Sequence, residues 1–204
     1  MSILRWAWWP VAVFACWVSL ASASPEPFRS TEQSTVKFEC FGKSVTKPAR
    51  GRFATILSRL KVRPDNLTDV RGHVSVELGS VLTDDPTWDV LFRAAPFLGI
   101  QEYPRSSFEL LRVEGARKLQ PNKPVKMKVA GRFRLKDEKR NMKFPATVTY
   151  TPASTKGPER IHLKGNFKIR WKDYGVRIPP GSAAGFAGEG TAVKLDLTFE
   201  RSHY

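Results

Sequence analysis

Few residues in this chain are of the kind that make or break bonds. The histidines His73, His162 and His203 are scattered. None stands at metal-ligand spacing from another or from a cysteine, so no metal site is expected. Gly42-Lys43-Ser44 has the ending of a phosphate-binding loop, but the glycine needed five residues earlier is Lys37. Asp84-Asp85 is a carboxylate pair that precedes a helical pattern, where capping and the helix dipole account for it. No Gly-x-Ser-x-Gly elbow occurs. The expectation is a protein without catalytic residues. The abundant chemistry is of another kind: bulky apolar side chains at alternate positions, with lysine and arginine between them. One face can bury apolar surface, and the other can attract anions.

The elements that carry those faces are strands. In 124–136, Val125, Met127, Val129, Gly131, Phe133 and Leu135 share one face, against Lys126, Lys128, Arg132, Arg134 and Lys136. In 160–171, Ile161, Leu163, Gly165, Phe167, Ile169 and Trp171 oppose His162, Lys164, Asn166, Lys168 and Arg170. Val193, Leu195, Leu197 and Phe199 repeat the design near the end. Weaker alternation marks 36–40, 50–62, 74–78, 108–113 with a bulge near Leu111, and 144–150. Gly131 and Gly165 interrupt the apolar faces of the two longest strands, as at a barrel corner. About eight antiparallel strands, each with one apolar face, predict an all-β closed barrel or a sandwich, the barrel being preferred because closure removes the edges. One segment differs. Asp85 can cap a helix, Pro86 suits its first turn, and Trp88, Leu91, Phe92 and Ala95 form one stripe before Pro96. This short helix is expected on the barrel, as a plug or as a gate. A flexible loop is expected at 181–190, GSAAGFAGEG.

The start of the chain reads as an address. Arg5, the apolar run 6–20 and the small residues Ala21 and Ala23 have the layout of a secretory signal peptide, with cleavage expected after Ala23. An uncleaved anchor, or a lipoprotein acylated on Cys16, are the alternatives. The domain division is therefore 1–23 signal and 24–204 barrel. Removal of Arg5 lowers the net charge from +15 to +14. It also leaves Cys40 as the one cysteine, expected to be buried on a strand's apolar face. The sequon Asn66-Leu67-Thr68 would be used only in a glycosylating host. A charge this high suggests nucleic acid for a cytosolic protein. Export argues against that, as does the placing of aromatics on apolar faces, where bases cannot stack.

The segments, in this order, resemble the YceI family of secreted lipocalin-like proteins from about Ser34 to Glu200. Ser34-Thr35-Val36-Lys37-Phe38 followed by Gly51-Arg52-Phe53 is similar to the family's first hairpin. Residues 74–78, then Asp89, Arg93, Phe97 and Tyr103-Pro104 before Phe108, resemble its central stretch. Gly131-Arg132-Phe133-Arg134-Leu135 resembles its glycine-led fifth strand. Lys172-Asp173-Tyr174-Gly175-Val176 resembles its late Asp-Phe-Gly turn, and residues 188–199 its closing strand. The chain departs from the family where Arg-Asp-x-His-Leu becomes Trp88-Asp89-Val90-Leu91-Phe92, where a Gly-Val-Thr-Lys-Pro turn becomes Asp137-Glu138-Lys139-Arg140-Asn141, and where an arginine becomes Trp171.

The resemblance implies an eight-stranded lipocalin-like barrel whose apolar lumen holds a polyisoprenoid or similar long-chain amphiphile, with no other cofactor. The wall candidates are Phe38, Val76, Leu78, Phe108, Met127, Phe133, Phe167 and Ile169. Trp88, Leu91, Phe92 and Trp171 are the candidates for the mouth. Lys126, Lys128, Arg132, Arg134, Lys164, Lys168 and Arg170 form an outward basic face, suited to an anionic membrane surface or envelope polymer, or simply to solvation. A non-catalytic adhesion or scaffold module acting through that face is the alternative function. The resemblance places the protein in the periplasm or released from the cell. Monomer and homodimer are both compatible with the sequence.

Overall fold

The computed structural model describes residues 27–43, 45–178 and 187–201. The expected signal segment and His203 lie outside them, as does most of the loop expected at 181–190. Eleven strands and one α-helix are found among the described residues: β1 Phe28–Ser30, β2 Thr35–Phe41, β3 Arg50–Phe53, β4 Ile56–Arg63, β5 Asn66–Glu77, β6 Val81–Thr83, α1 Pro86–Arg93, β7 Arg105–Glu114, β8 Pro124–Leu135, β9 Glu138–Thr151, β10 Arg160–Arg170 and β11 Gly190–Arg201. Of the expected loop, Gly190 already belongs to β11.

Eight strands close a ring in the order β1-β4-β5-β7-β8-β9-β10-β11, with β11 returning to β1. Every pairing is antiparallel, and the long hairpins β8–β9 and β10–β11 supply the most regular ladders. The barrel is therefore closed, and the sandwich is excluded. β2 continues β1 along the same edge of β11, and β3 precedes β4 after a two-residue break. β6 pairs with β3 outside the ring.

The wall of this seam is not fully laddered. Phe28 pairs with Leu60 and Val36 with Phe53, but no backbone ladder joins the strands between those points. Serines take over there. The Ser30 N–H donates to Ser58 Oγ at 2.8 Å. Ser34 Oγ donates to the Thr198 carbonyl and accepts from its N–H, both at 3.1 Å. The Thr55 N–H donates to Ser80 Oγ at 3.0 Å. Backbone groups inside a barrel wall must find partners, and hydroxyls do so where the strands part.

The register of β7 shifts between Leu110 and Arg112, so Leu111 is the extra residue of the expected bulge. Gly131 sits opposite Leu110, and a β-carbon there would collide with the Glu109 carbonyl and lie 2.9 Å from Phe108 Cε1. The glycine lets the Phe108 ring fold across β8. Gly165 marks a different event. It pairs with Ala146 as the last rung between β9 and β10, and beyond it the two strands diverge at Pro145, which has no N–H to offer.

Both ends of the barrel are filled by side chains. At one end α1 packs inward. Asp85 caps it by accepting the Thr87 N–H at 3.0 Å, and Pro86 occupies its first turn. Asp89 pins the helix to β6, accepting from the Thr83 N–H and hydroxyl at 2.7 Å each. The helix ends at Arg93, so Ala95 falls off the expected apolar stripe and is exposed. The reason is local: the residue before Pro96 is driven out of the helical region. The opposite end is closed by Phe28, Val62, Leu67, Leu119, Ile161 and Phe199, all buried.

Candidate functional site

Between the two plugs lies one elongated apolar lumen. It has about 140 Å³ open to a water-sized sphere, within about 1130 Å³ of empty space counted between the lining atoms and out through its opening. Facing aromatic rings make the lumen a slot. Phe38, Val76, Leu78, Phe108, Phe133, Phe167 and Ile169 line it, as does much of the inward face of β11. The inward positions come from every long strand because a period of two sends alternate side chains to the same side.

Aromatic contacts set the width of the slot. Phe133 meets Phe167 at 5.6 Å between ring centroids and Tyr174 at 5.4 Å. Phe144 meets Phe167 at 5.2 Å and Phe108 at 5.4 Å. Towards α1 the series continues through Phe38–Phe92 at 5.5 Å, Phe92–Phe97 at 4.9 Å and Phe97–Trp171 at 6.2 Å. Most are tilted or edge-on, the arrangement favoured by ring quadrupoles.

Polar residues on the lumen are few: Ser106, Ser107, Thr191 and the exposed Arg59. Ser106 Oγ donates to the Arg134 carbonyl at 2.7 Å, and Thr191 Oγ1 to the Glu39 carbonyl at 3.2 Å. The hydroxyl protons of Ser106 and Thr191 are held by the backbone, so the lumen presents mostly apolar carbon to a guest. Cys40 is 2% exposed, and burial pushes its thiol from 9.0 up to about 12.

Met127 is placed differently from the other wall candidates. It shares the inward face of β8, yet it packs with Val148, Leu119 and Ile161 in the closed end, beyond the void. Alternation names a face but not a height along the barrel axis, so the pattern alone groups Met127 with Phe133. Of the mouth candidates, Phe92 and Trp171 border the lumen. Trp88 and Leu91 do not; they pack in the cluster behind it. Trp88 is buried on α1 with Lys47 Nζ 5.3 Å above its ring. Trp171 is fixed by a 2.9 Å hydrogen bond from Nε1 to the Ala187 carbonyl. Sequence reasoning did not nominate Phe53, Phe144, Leu110 or Leu195, which also line the lumen. The signal was present, since each sits on an apolar strand face.

The seven basic candidates are all exposed on the outer wall. They do not form one cluster. Arg132 pairs with Glu109 at 3.7 Å, Arg134 Nε donates to the Lys136 carbonyl at 3.1 Å, and Lys168 lies over the Phe41 ring at 5.3 Å. Lys128 and Arg170 stand apart from the groove that brings Lys126 and Lys164 together with Lys37 and Lys194. A charged exterior around an apolar lumen is the inverse of a membrane-spanning barrel, whose outward band is apolar. Among the described residues no helix is long and apolar enough to cross a membrane.

A closed antiparallel barrel with an apolar lumen defines a class of small containers, in which eight strands leave room for one slender guest. Residues 29–200 match the YceI-like domain, and the chain belongs to that family. Solved structures with the same fold include a polyisoprenoid-binding domain from Saccharophagus degradans implicated in plant cell wall breakdown. It is 13% identical, with a TM-score of 0.68 over 87% of this chain and 99% of that one. BcnA of Burkholderia cenocepacia is 17% identical, with a TM-score of 0.63 over 81% and 95%. The YceI protein of Campylobacter jejuni is 16% identical, with a TM-score of 0.63 over 75% and 85%. No curated protein matches this sequence.

Proposed function

We propose that this protein is an exported, periplasmic carrier that holds the chain of an isoprenoid or other long amphiphile in its lumen and catalyses no reaction. The observation that carries this reading is the apolar slot between Phe108, Phe133, Phe144 and Phe167. Family membership and the name of the S. degradans relative support it. Burying methylenes contributes about 0.8 kcal/mol each. A net hydrogen bond contributes about 1 kcal/mol. A few isoprene units therefore outweigh any single polar contact. With Ser106 and Thr191 already bonded to backbone and the lining mostly apolar, selection falls on chain length and girth more than on headgroup.

The test is uptake of a long-chain polyprenyl lipid by the wild type and by Phe133→Asp and Phe167→Asp. A carboxylate inside the slot must be desolvated if a chain is to enter. Folded variants that no longer take up lipid support the proposal. Folded variants that load as well as the wild type contradict it.

A further inference from the structure

The outer wall carries a second concavity, which shares Leu195 with the wall of the lumen. It lies where β9 parts from β10, over the outward rows of β8, β10, β11 and β2. Lys37, Lys126, Lys164 and Lys194 line it, together with Thr35, Thr147 and Asn166. Register brings them together. Lys126 faces Thr147, Thr147 faces Lys164, Lys164 faces Asp196, and Asp196 faces Thr35. In the next row Asn166 faces Lys194, which faces Lys37. Gly165 and Ala146, the last rung before the strands diverge, keep the floor low.

Charge is distributed unevenly around this groove. Elsewhere on the barrel, acids sit beside arginines, as in Glu39–Arg50 at 2.9 Å and Glu200–Arg160 at 2.6 Å. In the groove one carboxylate, Asp196, shares the lining with four lysines. It is held by His162 Nε2 at 2.5 Å and lies 3.7 Å from Lys164 Nζ. Among the described residues, Lys37, Lys126 and Lys194 have no ion-pair partner. All four lysines are exposed, so their charges are solvated and cheap to recruit.

We propose that this groove binds a stretch of a linear polyanion bearing regularly spaced phosphate or carboxylate groups. The shape argues for a chain rather than a bilayer: the charges line a concave channel across the strands, whereas a flat headgroup surface meets convex ground. Lysine ammoniums act as point charges without the planar demand of a guanidinium, so the site tolerates either anion. The threonine hydroxyls and the Asn166 amide add donors along the channel. This binding is independent of what the lumen holds.

The experiment measures binding of the purified full chain to two soluble probes, long-chain polyphosphate and polygalacturonate, at low and high salt. Two variants of equal charge loss are compared. One replaces Lys37, Lys126, Lys164 and Lys194 with glutamine; the other replaces Lys118, Lys139, Lys156 and Lys172, exposed lysines outside the groove. The groove variant is expected to lose about tenfold or more in affinity, because four exposed ion contacts vanish together. The control is expected to change by less than about threefold. Equal losses in both variants would overturn the groove in favour of net charge alone. No binding to either probe by the wild type at low salt would overturn it outright. Binding to anionic phosphatidylglycerol vesicles but to neither soluble polymer would replace the polymer with a membrane. Native mass spectra of the same samples report lumen occupancy separately, so loss of one activity is not mistaken for loss of the other.

Discussion

Phe133 on β8 and Phe167 on β10 meet edge to face at 5.6 Å, although β9 lies between their strands in the ring. The contact is possible because β9 leaves β10 after Gly165 and the two rings lean inward across the slot. Both rings line the lumen, and their contact bridges two strands that are not neighbours in the ring. Shortening either one should widen the space for a guest. Phe167→Ala is expected to cost stability toward the lower end of the roughly 3–5 kcal/mol typical of Phe→Ala, because the ring is only partly buried. It should also load bulkier amphiphiles than the wild type. Urea melts measure the first effect, and competition between slim and bulky lipids the second.

Gly131 tests the packing of the wall. A methyl group there would strike the Glu109 carbonyl and the Phe108 ring. Gly131→Ala should lower stability by about 1–3 kcal/mol through overpacking. Pairing it with Phe108→Leu should recover part of that loss, since the shorter side chain yields the space. Thermal melts of the single and double variants decide this.

Met127 and Phe92 separate plug from lumen. Met127→Ala should destabilise the closed end by about 2–4 kcal/mol while leaving lipid uptake per folded molecule unchanged. Phe92→Ala, which opens the lumen beneath α1, should change uptake as well. Equal uptake by both variants and the wild type would place the guest away from α1.

Cys40 makes a prediction about pH. Its thiol ionises at 9.0 when free and at about 12 in the fold, because burial outweighs the lowering effect of the neighbouring Thr191 side chain. A raised pKa means that the folded state favours the protonated thiol. That contribution is complete below pH 9.0 and is lost as pH climbs towards 12. Stability of the wild type should therefore fall through this range more steeply than that of Cys40→Ala. A thiol reagent at pH 8 should leave the native protein unlabelled and react once it unfolds.

Much of the barrel is legible from alternation alone. Residues 124–136 and 160–171 announce an apolar and a basic face, and the structure turns those faces inward and outward. β1 and β6 are not legible, because three residues carry no period; their positions follow from pairing with β11 and β3. The break at 54–55 is equally silent, since apolar residues continue on both sides of it. The groove shows the same limit. Lys37 and Lys194 are far apart in the sequence and become cross-strand neighbours only when β2 docks on β11. Alternation says which way a lysine points, whereas closure of the ring decides what stands beside it.

The central claim is that the lumen is a lipid site. Native mass spectrometry of the mature protein, purified from a membrane-containing host, tests it most directly when any adduct is extracted into solvent and identified. The account predicts a one-to-one adduct that extracts as a polyisoprenoid or similar long-chain amphiphile. It also predicts that Phe133→Asp, if folded, carries none. A clean unliganded mass that stays unchanged after incubation with isoprenoid lipids would contradict the account and leave the slot as core.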